Sequence, residues 1–237
     1  MQEERRGAGH EPPVATSPRH QPHPPVVIVV DFGLDVHAYR RQFAQLPVVV
    51  PKTCPHCNAT GCLSGHGSYP RHVCDRTEAV PIRVKRLCCH LCHRTVSLLP
   101  SFCLSYRHYG TDTIQTVLSL RVAGAASWRV IGQCLLPSEL PTRTTCREWV
   151  KAFSAASPHY LSHLLRQLAL WQLAPGKLEL VLAEVGAAPT KPQQLVRAVP
   201  HLVAWLHEQG WRLVEGSQRW LSTLWQWGSG AKLGRLV

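Results

Sequence analysis

No long apolar run occurs in this sequence. The β-branched stretch Val26–Val30 is five residues, far short of the roughly eighteen that a membrane span requires. No membrane partner is expected. The opening MQEERRGAGHEPP carries no apolar segment of signal-peptide type, so export is not expected either. Acidic charge is scarce: 14 Asp and Glu stand against 26 Lys and Arg, a formal net charge of +12. That imbalance disfavours acidic assemblies and points to an anionic partner, most often nucleic acid. Aspartate stops at Asp112. There is no His-Glu-x-x-His, no Gly-x-Ser-x-Gly, no phosphate-cradling glycine loop, and no His-x-Glu ahead of a Pro-Cys-x-x-Cys clip. The signatures of zinc peptidases, serine hydrolases, P-loop enzymes and zinc deaminases are therefore missing. The chain reads as a non-enzyme.

What is abundant is cysteine, with 10 in the chain. Two Cys-x2-Cys pairs, Cys54/Cys57 and Cys89/Cys92, can each form a tight knuckle aiming two thiolates at one point, and structural Zn2+ takes four such ligands. The strand ahead of the second knuckle is legible as well. In Val80–Leu87, Val80, Ile82 and Val84 alternate with Pro81, Arg83 and Lys85, the period of a half-buried strand. Knuckle, strand and knuckle spell a zinc ribbon. Cys88 leaves a second clip open, Cys88-x3-Cys92, and His56, His66, His90 and His93 are alternative ligands. An all-thiolate site is closed, with no position for a substrate water. A reducing, cytoplasmic compartment fits, with the other cysteines as small buried hydrophobes.

The basic excess coincides with this region: residues 51–153 hold thirteen basic against five acidic residues, whereas residues 1–50 balance five against five. Arg71, Arg83, Lys85, Arg86 and Arg94 make the ribbon basic. Arg83 and Lys85 share one strand face and can point together at phosphates. Single-stranded RNA is a third reading of the partner, since Tyr106 and Tyr109, in SYRHY, could stack its bases.

The expected architecture is α+β: a small zinc ribbon, a helix-turn-helix-like three-helix unit and an α-helical C-terminal region. Residues 1–25, rich in Pro, Arg, Glu and His, read as a disordered tail. Residues 26–50 read as a strand–helix extension opened near Asp35, 51–110 as the ribbon, 111–155 as the three helices and 156–237 as the helical remainder. Within 111–155, Thr111 or Asp112 can cap a helix with Ile114, Val117, Leu118 and Val122 inward, and Gly124 breaks it. Ser127 can cap a second helix that buries Trp128, Ile131 and Leu135. The segment LLPSELP forms the next turn. Thr142 or Thr144 then starts a third helix with Cys146, Val150 and Phe153 inward and Trp149 at the margin. Its opposite side presents Thr145, Arg147, Glu148 and Lys151, as a major-groove reader requires. Ser157 can cap a further helix, a kink is expected at Pro200, and the C-terminal tryptophans read as core or interface.

The run CPHC, HGSYPR, IRVKRLCCHLCHRT and SLLPSF resembles the N-terminal zinc-binding segment of insertion-sequence transposases. It resembles still more closely a group of uncharacterised bacterial transposase-like proteins that carry this segment without a catalytic domain. The resemblance spans roughly residues 27–153 and is specific in 54–109. It implies zinc on Cys54, Cys57, Cys89 and Cys92, followed by a helix-turn-helix. An active transposase of that kind needs three acidic residues for two Mg2+ ions, and only glutamates follow Asp112. The expectation is thus a zinc-stabilised protein that binds double-stranded DNA, transposon-associated and accessory or regulatory, with a homodimer through the C-terminal helices as a further option. A non-catalytic protein-interaction adaptor is the alternative.

Overall fold

The computed structural model describes residues 26–75, 78–135, 141–210, 219–231 and 233. The N-terminal tail, the LLPSELP turn centre (136–140) and Trp211 lie outside the described residues. Among those described, four strands and seven α-helices follow one another as a mixed α+β chain.

The first half is one sheet. Strands β1 (Val26–Val30), β2 (Leu63–Cys74), β3 (Ala79–Cys89) and β4 (Thr95–Pro100) pair in the order β1-β4-β3-β2. β2–β3 and β3–β4 are antiparallel, and β1 runs parallel to β4, with Val27 opposite Ser97. The Val26–Val30 segment is therefore a strand of the same sheet as the knuckles rather than an appended piece. β3 meets β4 only over Lys85–Cys88, leaving the edge of its first half open. Helix α1 (Val36–Gln42), capped by Asp35 through the Ala38 N–H at 2.7 Å, fills that gap. Its buried Tyr39 donates to the Arg83 carbonyl at 3.0 Å, so one carbonyl on that open edge is satisfied by a side chain instead of another strand.

The second half is helical. α2 (Thr111–Leu118) passes into a π-helical turn, Ser119–Ala123, ended at Gly124, and α3 (Trp128–Leu135) follows. The expected cap on α2 is corrected: Gly110 holds that position without a side-chain bond, because Thr111 is itself buried in the first turn. α4 runs from Arg143 to Leu170, α5 from Pro175 to Gly186, α6 from Lys191 to Glu208 and α7 from Trp220 to Gly230. Thr142 caps α4 through the Thr145 N–H.

The break expected near residue 156 is also corrected. α4 continues through Pro158, and Ser157 donates to the Phe153 carbonyl at 2.6 Å in its interior. Cys146, Trp149, Phe153, Ser157, Tyr160, Leu161, Leu164 and Leu168 form one unbroken buried stripe, and continuous packing outweighs the local cost of an internal proline. Trp149, expected at the margin, is fully buried against Tyr109.

Helices α2 to α7 share a single core cluster. α7 is tied back to the π-helical turn by Trp220 Nε1 to Ser119 Oγ at 3.1 Å and to α2 by the Leu221 N–H to Gln115 at 2.9 Å. Trp171 and Trp205 stack on each other, and Trp220 and Trp225 are buried, so these rings serve packing. Gly228 faces the Tyr160 ring so closely that an added Cβ would lie 2.5 Å from it. Tyr160 is fully buried and has nowhere to move. Gly228→Ala should therefore lower the melting temperature, because overpacking costs about 1–3 kcal/mol while alanine regains only about 1 kcal/mol in a helix.

Candidate metal centre

The two Cys-x2-Cys segments fold into matching knuckles. In the first, the Cys54 N–H donates to the Ala59 carbonyl at 2.8 Å and Asn58 N–H donates to the Cys54 carbonyl at 2.9 Å. In the second, Cys89 N–H donates to Arg94 at 3.0 Å and His93 N–H to Cys89 at 2.9 Å. Both turns close on a left-handed residue, Asn58 at φ 58° and His93 at φ 55°. Two chain segments thus adopt one backbone form, one ahead of β2 and the other leading from β3 into β4. The pairing of Leu63 with Cys89 sets them face to face.

Their thiols converge. Cys54, Cys57, Cys89 and Cys92 place all four sulfurs within 4.8 Å of one another. The Cys54–Cys92 and Cys57–Cys89 separations are both 3.8 Å, nearly twice the ~2.05 Å of a disulfide. A tetrahedron with metal–sulfur bonds of ~2.3 Å has edges of about 3.8 Å. The donor set and its spacing fit a four-coordinate ion, and the group could hold a metal.

Electrostatics favour the same occupant. The Cys92 N–H donates to Cys89 Sγ at 3.4 Å and lowers this thiol to a pKa of about 6 against the opposing effect of burial. Burial works against the Cys54 thiolate too, but the Cys57 and His56 N–H groups outweigh it and hold its pKa below the ordinary value. Cys92 accepts from the Arg94 N–H, yet burial and its neighbouring thiols push it up to about 12. Four sulfurs this close resist carrying four negative charges by themselves. A bound cation removes that conflict and deprotonates all four.

Cys88 is not part of the group: its thiol turns to the Cys89 carbonyl and its backbone pairs with Ser64 and Thr95. The histidines stay outside as well. His56 reaches the Thr95 carbonyl at 3.4 Å, and His66, His90 and His93 are exposed. Beneath the knuckles, Cys62 is a buried fifth thiol that donates to the Ala59 carbonyl, and burial raises it to about 11. It packs with Leu63, Leu87, Val96 and Leu98.

The basic candidates are dispersed. Arg83 and Lys85 share a face of β3, but they do different things there. Arg83 is exposed and donates to the Ser68 hydroxyl at 2.8 Å. Lys85 turns inward to the Leu46 carbonyl and over the Phe43 ring, 5.4 Å from its centroid. Arg71 is half-buried and clamps the loop after β4 through the Leu104 and Arg107 carbonyls. Arg86 lies over the Tyr69 ring at 6.0 Å, while Arg94 is half-buried beside the second knuckle.

On α4, Thr145 belongs to the helix cap, with its hydroxyl 2.9 Å from that of Thr142. Arg147 and Lys151 are exposed, and Arg143, which the sequence reading passed over, is exposed one turn earlier. These three cations, spaced by four residues, make one stripe. Arg147 and Arg121 both pack on Trp128, at 5.7 and 5.2 Å from the ring centroid. A four-residue basic spacing just inside the Thr142 cap was the available signal for Arg143.

Among the described residues, no helix is long and apolar enough to cross a membrane. Residues 54–128, covering both knuckles, strands β2 to β4 and α2 but not β1, match a family described as a domain of unknown function (DUF6431). No curated protein and no solved structure matches the chain.

Proposed function

We propose that the chain is a non-catalytic DNA-binding protein stabilised by structural Zn2+ on Cys54, Cys57, Cys89 and Cys92. In this reading it is a transposase-like, transposon-associated accessory or regulatory factor without the acidic triad for strand transfer. The observation that carries the reading is the exposed Arg143–Arg147–Lys151 stripe on α4, on a chain of net charge +12. Zinc is favoured over other ions by four thiolates at tetrahedral spacing. Such a site is saturated by protein ligands, so its contribution is to stability and orientation. Arg147 and Lys151 approach the duplex from α4, with Arg143, Arg83 and Arg94 as backbone-phosphate contacts. Arg71 and Lys85 act by fixing the loop and the α1 segment.

A second reading is supported by the outward apolar side chains of the C-terminal half: Leu170 is 65% exposed and Leu180 71%. Such groups suit self-association or an adaptor role. Gel-shift titration with random-sequence duplex, combined with light scattering, separates the two. The DNA reading expects a shifted complex that Arg147→Gln weakens. A stable oligomer with no shift at low salt would favour the adaptor.

A further inference from the structure

A cavity of about 570 Å3 opens on the sheet, away from the thiol cluster and from α4. Its volume lies within the ~300–1,000 Å3 of small-ligand sites. The floor is the cross-strand pair Val27 and Ser97, one wall is the Tyr69–His72 segment of β2, and the loop Ser105–His108 closes over it. Arg71 ties that loop to β2 by donating to the Leu104 and Arg107 carbonyls. None of its lining residues is acidic.

Three observations describe what would fit. Aromatic rings line it: Tyr69, and Tyr106, which is 56% exposed and held at φ 61°. A left-handed backbone at a bulky residue is sterically costly and is a mark of functional positions. Arg71 and Arg107 supply positive charge on the same lining. At the margin, Arg86 pairs with Ser97 across the sheet and lies over the Tyr69 ring, and its Nε is buried with no hydrogen-bond partner. Arg86 is not itself a lining side chain and that nitrogen is shut off from the cavity, so the guanidinium adds positive charge beside the Tyr69 ring rather than a direct ligand contact.

We infer that this cavity is a binding site for one nucleoside phosphate unit, with the base stacked on Tyr106 and Tyr69 and the phosphate drawn to the Arg86 side. Two sources share that chemistry: a free nucleotide, and an unpaired nucleotide within a single strand. Stacking on aromatic side chains is tolerant of base identity, so no base preference is assigned. The inference does not depend on duplex contacts by α4.

The test uses the full chain, titrated with thymidine 5′-monophosphate and, separately, with a labelled oligothymidylate of about ten nucleotides. Tyr106→Ala is the first variant, since its ring is mostly exposed, and Arg86→Gln the second. Unchanged metal content and melting temperature certify the fold. Tyr106→Ala should weaken binding about tenfold and Arg86→Gln should weaken it as well, whereas Lys191→Gln, at an exposed lysine that starts α6, should leave it unchanged. Binding of the mononucleotide supports a free-nucleotide site, and binding of the oligomer alone supports a strand-borne nucleotide. If neither probe binds, or if both substitutions leave affinity unchanged in folded protein, the inference is overturned. Duplex affinity measured on the same variants reports on the α4 reading separately.

Discussion

Cys89→Ser is expected to release the metal and unfold the sheet half of the chain. Cys54 and Cys89 are fully buried and pack with Val30, Leu87, Val96 and Leu98, so the centre is continuous with the apolar interior. Structural zinc contributes on the order of 10–16 kcal/mol in isolated finger peptides. That is comparable to the whole net stability of a domain, about 5–15 kcal/mol. Loss of one ligand should therefore remove most of the stability of β1–β4. Native mass spectrometry should find one metal ion per parent chain and none in the variant, with a collapsed first thermal transition. The helical core, with its separate cluster across α2–α7, should keep its far-ultraviolet helix signal longer. Cys88→Ser and Cys134→Ser serve as controls, since neither thiol belongs to the four-sulfur group. A Cys89→Ser chain that melts like its parent would remove the structural role assigned to the metal.

The knuckles were legible because they are local. Two residues between cysteines suffice to direct both thiols at one point, and the alternation of Val80, Ile82 and Val84 marks which face is inward. β4 was harder to see. Val96–Pro100 are all buried, so no period of two appears, and a proline closes the segment. The parallel pairing of β1 with β4 joins residues about seventy positions apart in the chain, which no short window reveals. Ser157-Pro158 has the local form of a cap followed by a first-turn proline. Only the buried stripe on either side shows that α4 continues. The fate of Lys85 depends on Phe43 and Leu46, partners that alternation within β3 does not reveal. For the α4 cations the difference was one of emphasis: reading outward residues from Thr145 onward omitted Arg143 one turn before.

Duplex DNA binding is expected to fall steeply with salt, and this is the second large effect. Each phosphate neutralised by Lys or Arg releases counterions, giving a slope of about −0.9 in log affinity against log salt. Five exposed or half-exposed cations, Arg83, Arg94, Arg143, Arg147 and Lys151, bring the slope toward about −4.5 if all are used. Arg147→Gln and Lys151→Gln should each make it shallower by about one. Substituting Arg71 or Lys85 should instead change stability, since both side chains hold internal carbonyls. A residue-specific loss of slope without loss of melting temperature would separate a DNA contact from a structural cation.

The most direct measurement is a fluorescence anisotropy titration of the metal-loaded chain against a labelled duplex, at about 50 and 200 mM salt. For six or more phosphate contacts, affinity falls about a thousandfold or more over this range. The five cations named above make the expected loss several hundredfold, reduced further by Lys151→Gln. Binding that is absent at low salt, or equally tight at both concentrations, would contradict the DNA-binding account.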